Sequence, residues 1–213
     1  DLSSSVYGEL AGARVLVTGL STTCGVDVAR AFADHHGRLV LQLSEITPEN
    51  DVLTGLLAET ASEIEVFSDP CADNEAACRF AQKASHTFGG LEIVINLIPI
   101  SAEELQSRTS LFEVEELVAQ KLTIPVNVTN VVANRMRTMM TQGLVLNVMT
   151  LPAPRSAGEA ALAGVARTAL AAVTRGEAEK WAPHGIRVNA IGPGPPLPHA
   201  RQSQEDFDRA LQR

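Results

Sequence analysis

Aromatic side chains are scarce in this 213-residue chain: six phenylalanines, one tryptophan and one tyrosine, 4% of the whole. The lone tyrosine, Tyr7, precedes the first apolar run, so chemistry needing a tyrosine inside the fold has none to use. Cysteine is scarce too. Cys24, Cys71 and Cys78 are odd in number, form no C-x-x-C pair and have no histidine close by, which argues against a metal site. Buried thiols in a reducing compartment are expected, although Cys71 and Cys78, seven apart, suit one helix face. No basic block is present. Seventeen Lys and Arg stand against 25 Asp and Glu, a net charge of −8, with a pI near 5.1. That balance argues against nucleic acid and anionic membrane as partners. No apolar run approaches the roughly 18 residues of a membrane helix. Asp1-Leu2-Ser3-Ser4-Ser5 does not read as a signal peptide. A cytoplasmic location is expected.

Apolar residues make up 45% and charged residues 20% of the chain, ordinary values for one globular domain spanning 1–213. Residues 1–11 read as an arm and 195–213 as a polar tail, with a helix-like stretch over 202–212. There is no repeat and no low-complexity tract. Short apolar runs alternate with amphipathic stretches. Strands are predicted over 14–17, 39–43, 64–67, 93–95, 144–148 and 186–191. Helices are predicted over 26–35, 74–88, 113–140 and 158–181, the third interrupted in pattern by Pro125. This alternation predicts an α/β fold, a doubly wound, Rossmann-like parallel sheet of six strands in the order 3-2-1-4-5-6. Its strands read as near-continuous apolar runs because both faces are covered. Ligands of such sheets bind beyond the carboxyl ends of the strands. The segments to examine are therefore 19–25, 43–45, Asp69, 96–99, 147–150 and 191–198.

At those strand ends the chain resembles the short-chain dehydrogenase/reductase family. The likeness runs from about Gly12 to Pro198. Its most specific stretch is Trp181-Ala182-Pro183-His184-Gly185-Ile186-Arg187-Val188-Asn189-Ala190-Ile191-Gly192-Pro193-Gly194, supported by Thr18-Gly19, Asp69, Asn96 and Glu115-Glu116-Leu117. The resemblance implies NAD or NADP as cofactor, held by a T-G-x-x-x-G-x-G turn. Here the turn is Thr18-Gly19-Leu20-Ser21-Thr22-Thr23-Cys24-Gly25. Gly19 and Gly25 keep their places, but Thr23 stands at the middle glycine, and a β-branched residue disfavours φ > 0. Ser21, Thr22 and Thr23 either face a phosphate or cap the following helix. Leu43 falls where an acidic residue would meet the adenosine ribose, followed by Ser44 and Glu45, the latter either a substitute or a solvated loop carboxylate. Asp69 matches the residue that meets the adenine, or else caps the next helix. Asn96-Leu97-Ile98-Pro99 replaces Asn-Asn-Ala-Gly, which crowds the nicotinamide side.

The resemblance also implies a serine, a tyrosine, a lysine and a helix asparagine as catalytic group. Counting back from Asn189 puts the tyrosine at 163 and the lysine at 167, and counting on from Thr150, the serine position, again reaches 163. The occupants are Ala163 and Arg167, with Lys121 at the asparagine position. A rival register on Glu159-Ala160-Ala161-Leu162-Ala163-Gly164 puts Glu159 at the lysine and Arg155 at the tyrosine. Neither register supplies a tyrosine, and alanine at 163 cannot act as a general acid.

Three functions follow. One is a family member that has lost ordinary carbonyl reduction and serves in binding, assembly or regulation. Another is a working NAD(P)-dependent oxidoreductase with a relocated acid, drawn from Lys121, Arg167, His199 or the substrate. The third rests on similarity to halohydrin dehalogenases, which bind halide and carry arginine at the lysine position. A homodimer or homotetramer is expected on helices 113–140 and 158–181, rich in Val128, Val131, Val132, Ala160, Ala161, Leu170 and Val173. A small-molecule ligand remains open. The family continues into a seventh strand. None is legible after 186–191, so that sheet edge is expected to be open unless another segment covers it.

Overall fold

A computed structural model describes residues 10–192 apart from Ser44, Pro70, Thr109 and Arg155. Tyr7, Arg155, His199, most of the arm and the whole tail lie outside the described residues. Six parallel strands run in the order β3-β2-β1-β4-β5-β6, as the alternating pattern predicts. They are β1 (Arg14–Leu20), β2 (Arg38–Leu43), β3 (Glu63–Phe67), β4 (Ile93–Pro99), β5 (Gly143–Thr150) and β6 (Ile186–Ile191). The helices are α1 (Val26–Asp34), α2 (Pro48–Ala58), α3 (Asn74–Ala84), α4 (Ala102–Gln106), α5 (Leu111–Thr138) and α6 (Ala157–Trp181), with 3₁₀ turns at Thr87–Gly89 and Ala182–His184.

Five of the helices begin where a short polar side chain caps the first turn. Thr47, Asp73, Ser101, Ser110 and Ser156 each accept from the third amide of the helix, and Glu104 and Glu113 return the bond at Ser101 and Ser110. The cap before α3 is thus Asp73, not Asp69. Both α2 and α4 went unread in the sequence, because α4 is one turn long and α2 has little amphipathic contrast. Cys71 precedes α3 and Cys78 lies within it, so they do not share a helix face. Cys24 is buried and the other two are half-buried.

Two apolar layers flank the sheet. One side packs α1 and α2 on Val15, Val17, Leu39, Leu41 and Ile95. The other packs α3, α5 and α6 on Leu16, Val40, Val94, Val145 and Ile186. A third cluster joins Ile98, Ile100 and Met149 to Val114, Leu117, Val118 and Leu122 of α5 and to Ala166 and Leu170 of α6. Helix α5 continues through Pro125 for 28 residues. Proline there removes the amide that would bond the Lys121 carbonyl.

Candidate functional site

The carboxyl ends of β1, β2, β4 and β5 meet at one crevice, where the alternation of strands and helices places a ligand site. β1 runs into it and turns at Gly19 (φ 72), whose added Cβ would lie 2.7 Å from the Leu97 carbonyl oxygen. The chain re-enters helix at Gly25 (φ 84), where a Cβ would overlap Leu97 Cδ1. Both positions demand glycine for conformation and for space. Between them the chain forms a small closed turn. Ser21 N donates to Cys24 O at 3.1 Å and Cys24 N donates to Ser21 O at 3.2 Å. Thr22 N donates to Asn50 Oδ1, Thr23 N to Ser21 Oγ, and Gly19 N to Gln42 Oε1 at 2.7 Å. Thr23 avoids positive φ, so the turn accommodates its β-branch without strain. The residue flanking α1 is Gly25, and no side chain caps that helix, so Ser21 and Thr23 bond one another instead.

Gln42 ties three strand ends together. Besides accepting from Gly19, it donates through Nε2 to Leu43 O and Asp69 O. Leu43 is 3% exposed and belongs to the core beneath α1 and α2. Glu45 is solvated, and its carbonyl accepts from Asn50 Nδ2. The Asp69 carboxylate lies 3.9 Å from Lys83 Nζ.

Asn96 is fully buried at the centre of a polar network. It accepts from Thr18 Oγ1 at 3.1 Å and donates to Thr129 Oγ1 at 3.0 Å and Asn147 Oδ1 at 2.8 Å. The network joins β1, β4, β5 and α5. The segment 96–99 is not a loop: it continues β4 alongside Asn147–Thr150. In the sequence the apolar run ends at Ile95 because Asn96 is polar. Its polarity is satisfied inside the sheet.

Thr150 ends β5 with its Oγ1 at 3.9 Å from Cys24 Sγ. Burial raises the pKa of the Cys24 thiol above its ordinary value, and the Thr150 contact opposes the shift in part. Ala163 is 5% exposed on α6, and Arg167 lies one turn further on. Lys121 projects from α5 and pairs with Glu104 of α4, Nζ to Oε1, at 2.6 Å. Burial pushes the Glu104 carboxyl up, but bonds from Lys121 and Ser101 outweigh this and hold it below its ordinary value. Thr18, Gly19, Gln42, Glu104, Arg108 and Lys121 share one cavity of about 310 Å³ with Leu97, Ile98 and Pro99.

A family model described as enoyl-(acyl carrier protein) reductase matches residues 19–213. The chain belongs to the short-chain dehydrogenase/reductase family. The enoyl-[acyl-carrier-protein] reductase [NADH] of Escherichia coli is 28% identical over 215 residues, covering 96% of this chain and 79% of that protein. The 3beta-hydroxysteroid dehydrogenase 1 of Eggerthella lenta is 26% identical over 199 residues, covering 89% and 72%. Among solved structures, a short-chain type dehydrogenase/reductase from Mycobacterium marinum superposes with a TM-score of 0.72 at 18% identity, covering 90% of this chain and 77% of that one. An NADH-dependent reductase complexed with NAD superposes at 0.68 and 19% identity, covering 88% and 80%. These structural likenesses establish the fold.

In this family the turn 18–25 is the seat of a nicotinamide dinucleotide. The turn as folded here does not fit that group. Its amides at Gly19, Ser21, Thr22, Thr23 and Cys24 already donate within the protein. Leu43 offers the ribose no acceptor, and Thr150 touches the turn itself. Four residues of this site were not singled out from sequence: Gln42, Asn50, Glu104 and Arg108. Gln42 had a signal, as the one polar residue inside the apolar run of β2. Asn50 and Glu104 sit on helices, and Arg108 just past the end of α4, whose docking only the fold decides.

Proposed function

We propose that this short-chain dehydrogenase/reductase family member has given up ordinary NAD(P)-dependent carbonyl reduction and keeps the fold for binding and assembly. The observation that carries the reading is the closed turn: five amides of the dinucleotide seat bond internally. The chemistry agrees with it. Ala163 at the tyrosine position cannot donate a proton, Thr150 is far too weak an acid to give one up, and Arg167 is too basic to cycle. Loss of the general acid alone would lower turnover by roughly 10²–10⁴-fold.

Assembly has its own support. An open, apolar groove of about 910 Å³ lies between α5 and α6, walled by Val118, Leu122, Val126, Val165, Ala169 and Val173. A second copy of the chain covering this face would bury what a monomer leaves in water.

A specific observation favours a second reading, a working NAD(P)-dependent enzyme. Relatives are named as NADH-dependent reductases or dehydrogenases, and Lys121 stands in the crevice as a charged group at a family catalytic position. Calorimetric titration of the full chain with NADH and NADPH separates the two. The expected result is no saturable binding and no rise in melting temperature up to millimolar cofactor. Tight binding with a raised melting temperature would overturn the first reading in favour of the second.

A further inference from the structure

The crevice is closed to a dinucleotide but it is not filled. The cavity of about 310 Å³ sits at the lower end of the roughly 300–1,000 Å³ usual for small-molecule sites. Its walls divide by chemistry. Ile98, Pro99, Leu117, Ile124, Pro125 and Val128 make an apolar side. Lys121, Arg108 and Glu104 make a charged one, with two cations to one carboxylate. That carboxylate is committed: Oε1 faces Lys121 at 2.6 Å and Oε2 accepts from Ser101 N at 2.8 Å. Of the remaining polar walls, Thr18 is committed to Asn96 and Gln42 to Gly19, Leu43 and Asp69, while Gln120 is exposed.

Arg108 differs because its unpaired donor is buried. Its Nε is buried and has no hydrogen-bond partner among the described residues. Buried polar groups in native folds are nearly always paired, and a charged donor left without an acceptor is the costliest kind to leave so. A guanidinium whose Nε lacks an acceptor, in the wall of a cavity that holds a second cation and a long apolar side, describes half of a recognition site. The missing half carries negative charge at one end and apolar surface along the rest. A guanidinium presents a planar fork that matches a carboxylate.

We propose that this cavity binds a small monocarboxylate with an apolar body. Arg108 takes the carboxylate with Lys121 beside it, and the body lies along Leu117, Ile124 and Val128. The proposal rests on the reading that no dinucleotide occupies the crevice. The site asks for nothing beyond binding, and no bond is made or broken in it.

The test is calorimetric titration of the full chain with hexanoate, with its neutral counterpart hexanamide, with inorganic phosphate and with NADH. Hexanoate is expected to bind at least tenfold more tightly than hexanamide or phosphate. Arg108→Met, which keeps the stem and removes the charge, is expected to erase that preference, and Lys121→Met to weaken it. Equal binding of hexanoate and hexanamide, binding of neither, phosphate binding as tightly as hexanoate, or an unchanged preference in Arg108→Met would each overturn the proposal. The comparison of acid and amide uses the unmutated protein, so it stands even if a variant fails to fold. Binding of NADH would instead refute the closed-crevice reading. Absence of NADH binding together with no preference for hexanoate refutes this inference alone.

Discussion

At the scale of single residues, the most consequential side chain is one whose effect is local and polar. Gln42 satisfies the Gly19 amide and the Leu43 and Asp69 carbonyls at once. Gln42→Leu keeps the apolar neighbours of β2 but orphans those groups. Each buried group left without a partner costs about 1–3 kcal/mol, so urea midpoints are expected to fall accordingly. Leu43 gives the opposite lesson. By family position, Leu43→Asp would restore a ribose acceptor. In the fold that side chain is 3% exposed in the layer under α1 and α2, so the substitution buries a charge. It is expected to cost several kcal/mol and bring no cofactor binding, read by thermal melting with and without NADH. Cys71 offers a chemical check. Burial first, and the Asp69 charge second, push its thiol up to about 11. Reaction needs the thiolate, which at pH 8 is then about one part in a thousand, so iodoacetamide is expected to alkylate Cys71 far more slowly in the native than in the unfolded protein, by mass spectrometry.

At the scale of elements, the turn between β1 and α1 and the end of β4 form one packed unit. Gly25→Ala pushes a methyl into Leu97 and holds alanine at φ 84. Leu97→Ala removes the obstacle but leaves a cavity, with a cost of about 2–5 kcal/mol alone. The double variant is expected to lose less stability than the sum, because the two residues touch, while the strain of positive φ keeps it below wild type. Helices α4 and α5 are joined by Glu104 and Lys121, and the pairing predicts a pH dependence. The Glu104 carboxyl is held below its ordinary value in the fold, so its contribution is present above that value and is lost as pH falls through the lowered one. The acid limb of the stability curve is therefore expected to flatten in Glu104→Gln, measured by urea unfolding at stepped pH. Each helix carries its own Ser-x-x-Glu cap, but their mutual docking is not legible in the sequence, since nothing local in residues 101–121 says which side chains will face each other.

At the scale of the whole molecule, the open question is what covers α5 and α6. The surface expected to drive assembly was read from seven small or apolar residues. Of these, Val128, Val132 and Leu170 are buried within the protomer's own core, while Ala161 and Val173 line the open groove. Helical periodicity marks a face as apolar but does not say whether the sheet or a second chain will cover it. Thr168 is exposed in the groove, so Thr168→Glu leaves the protomer intact and places a charge at the proposed interface. Light scattering is expected to show an oligomer for the wild type and a monomer for this variant. A monomeric wild type at high concentration would sink the idea of assembly through this face.

The strand order and the alternation of layers were determined by the sequence alone, because parallel strands buried on both faces must read as apolar runs, and the connections between them must cross over through helices. The absence of a tyrosine at position 163 was equally a property of the sequence. What only the tertiary structure decided is the state of the crevice. Leu43 is buried and offers no acceptor, and the amides of the turn are taken by Gln42, Asn50 and the turn itself. Gln42 and Asn50 come from 23 and 28 residues away in the chain. Local propensity carries no information at that separation. Whether a polar group is free for a ligand or already satisfied depends on which distant neighbour the packed core delivers to it.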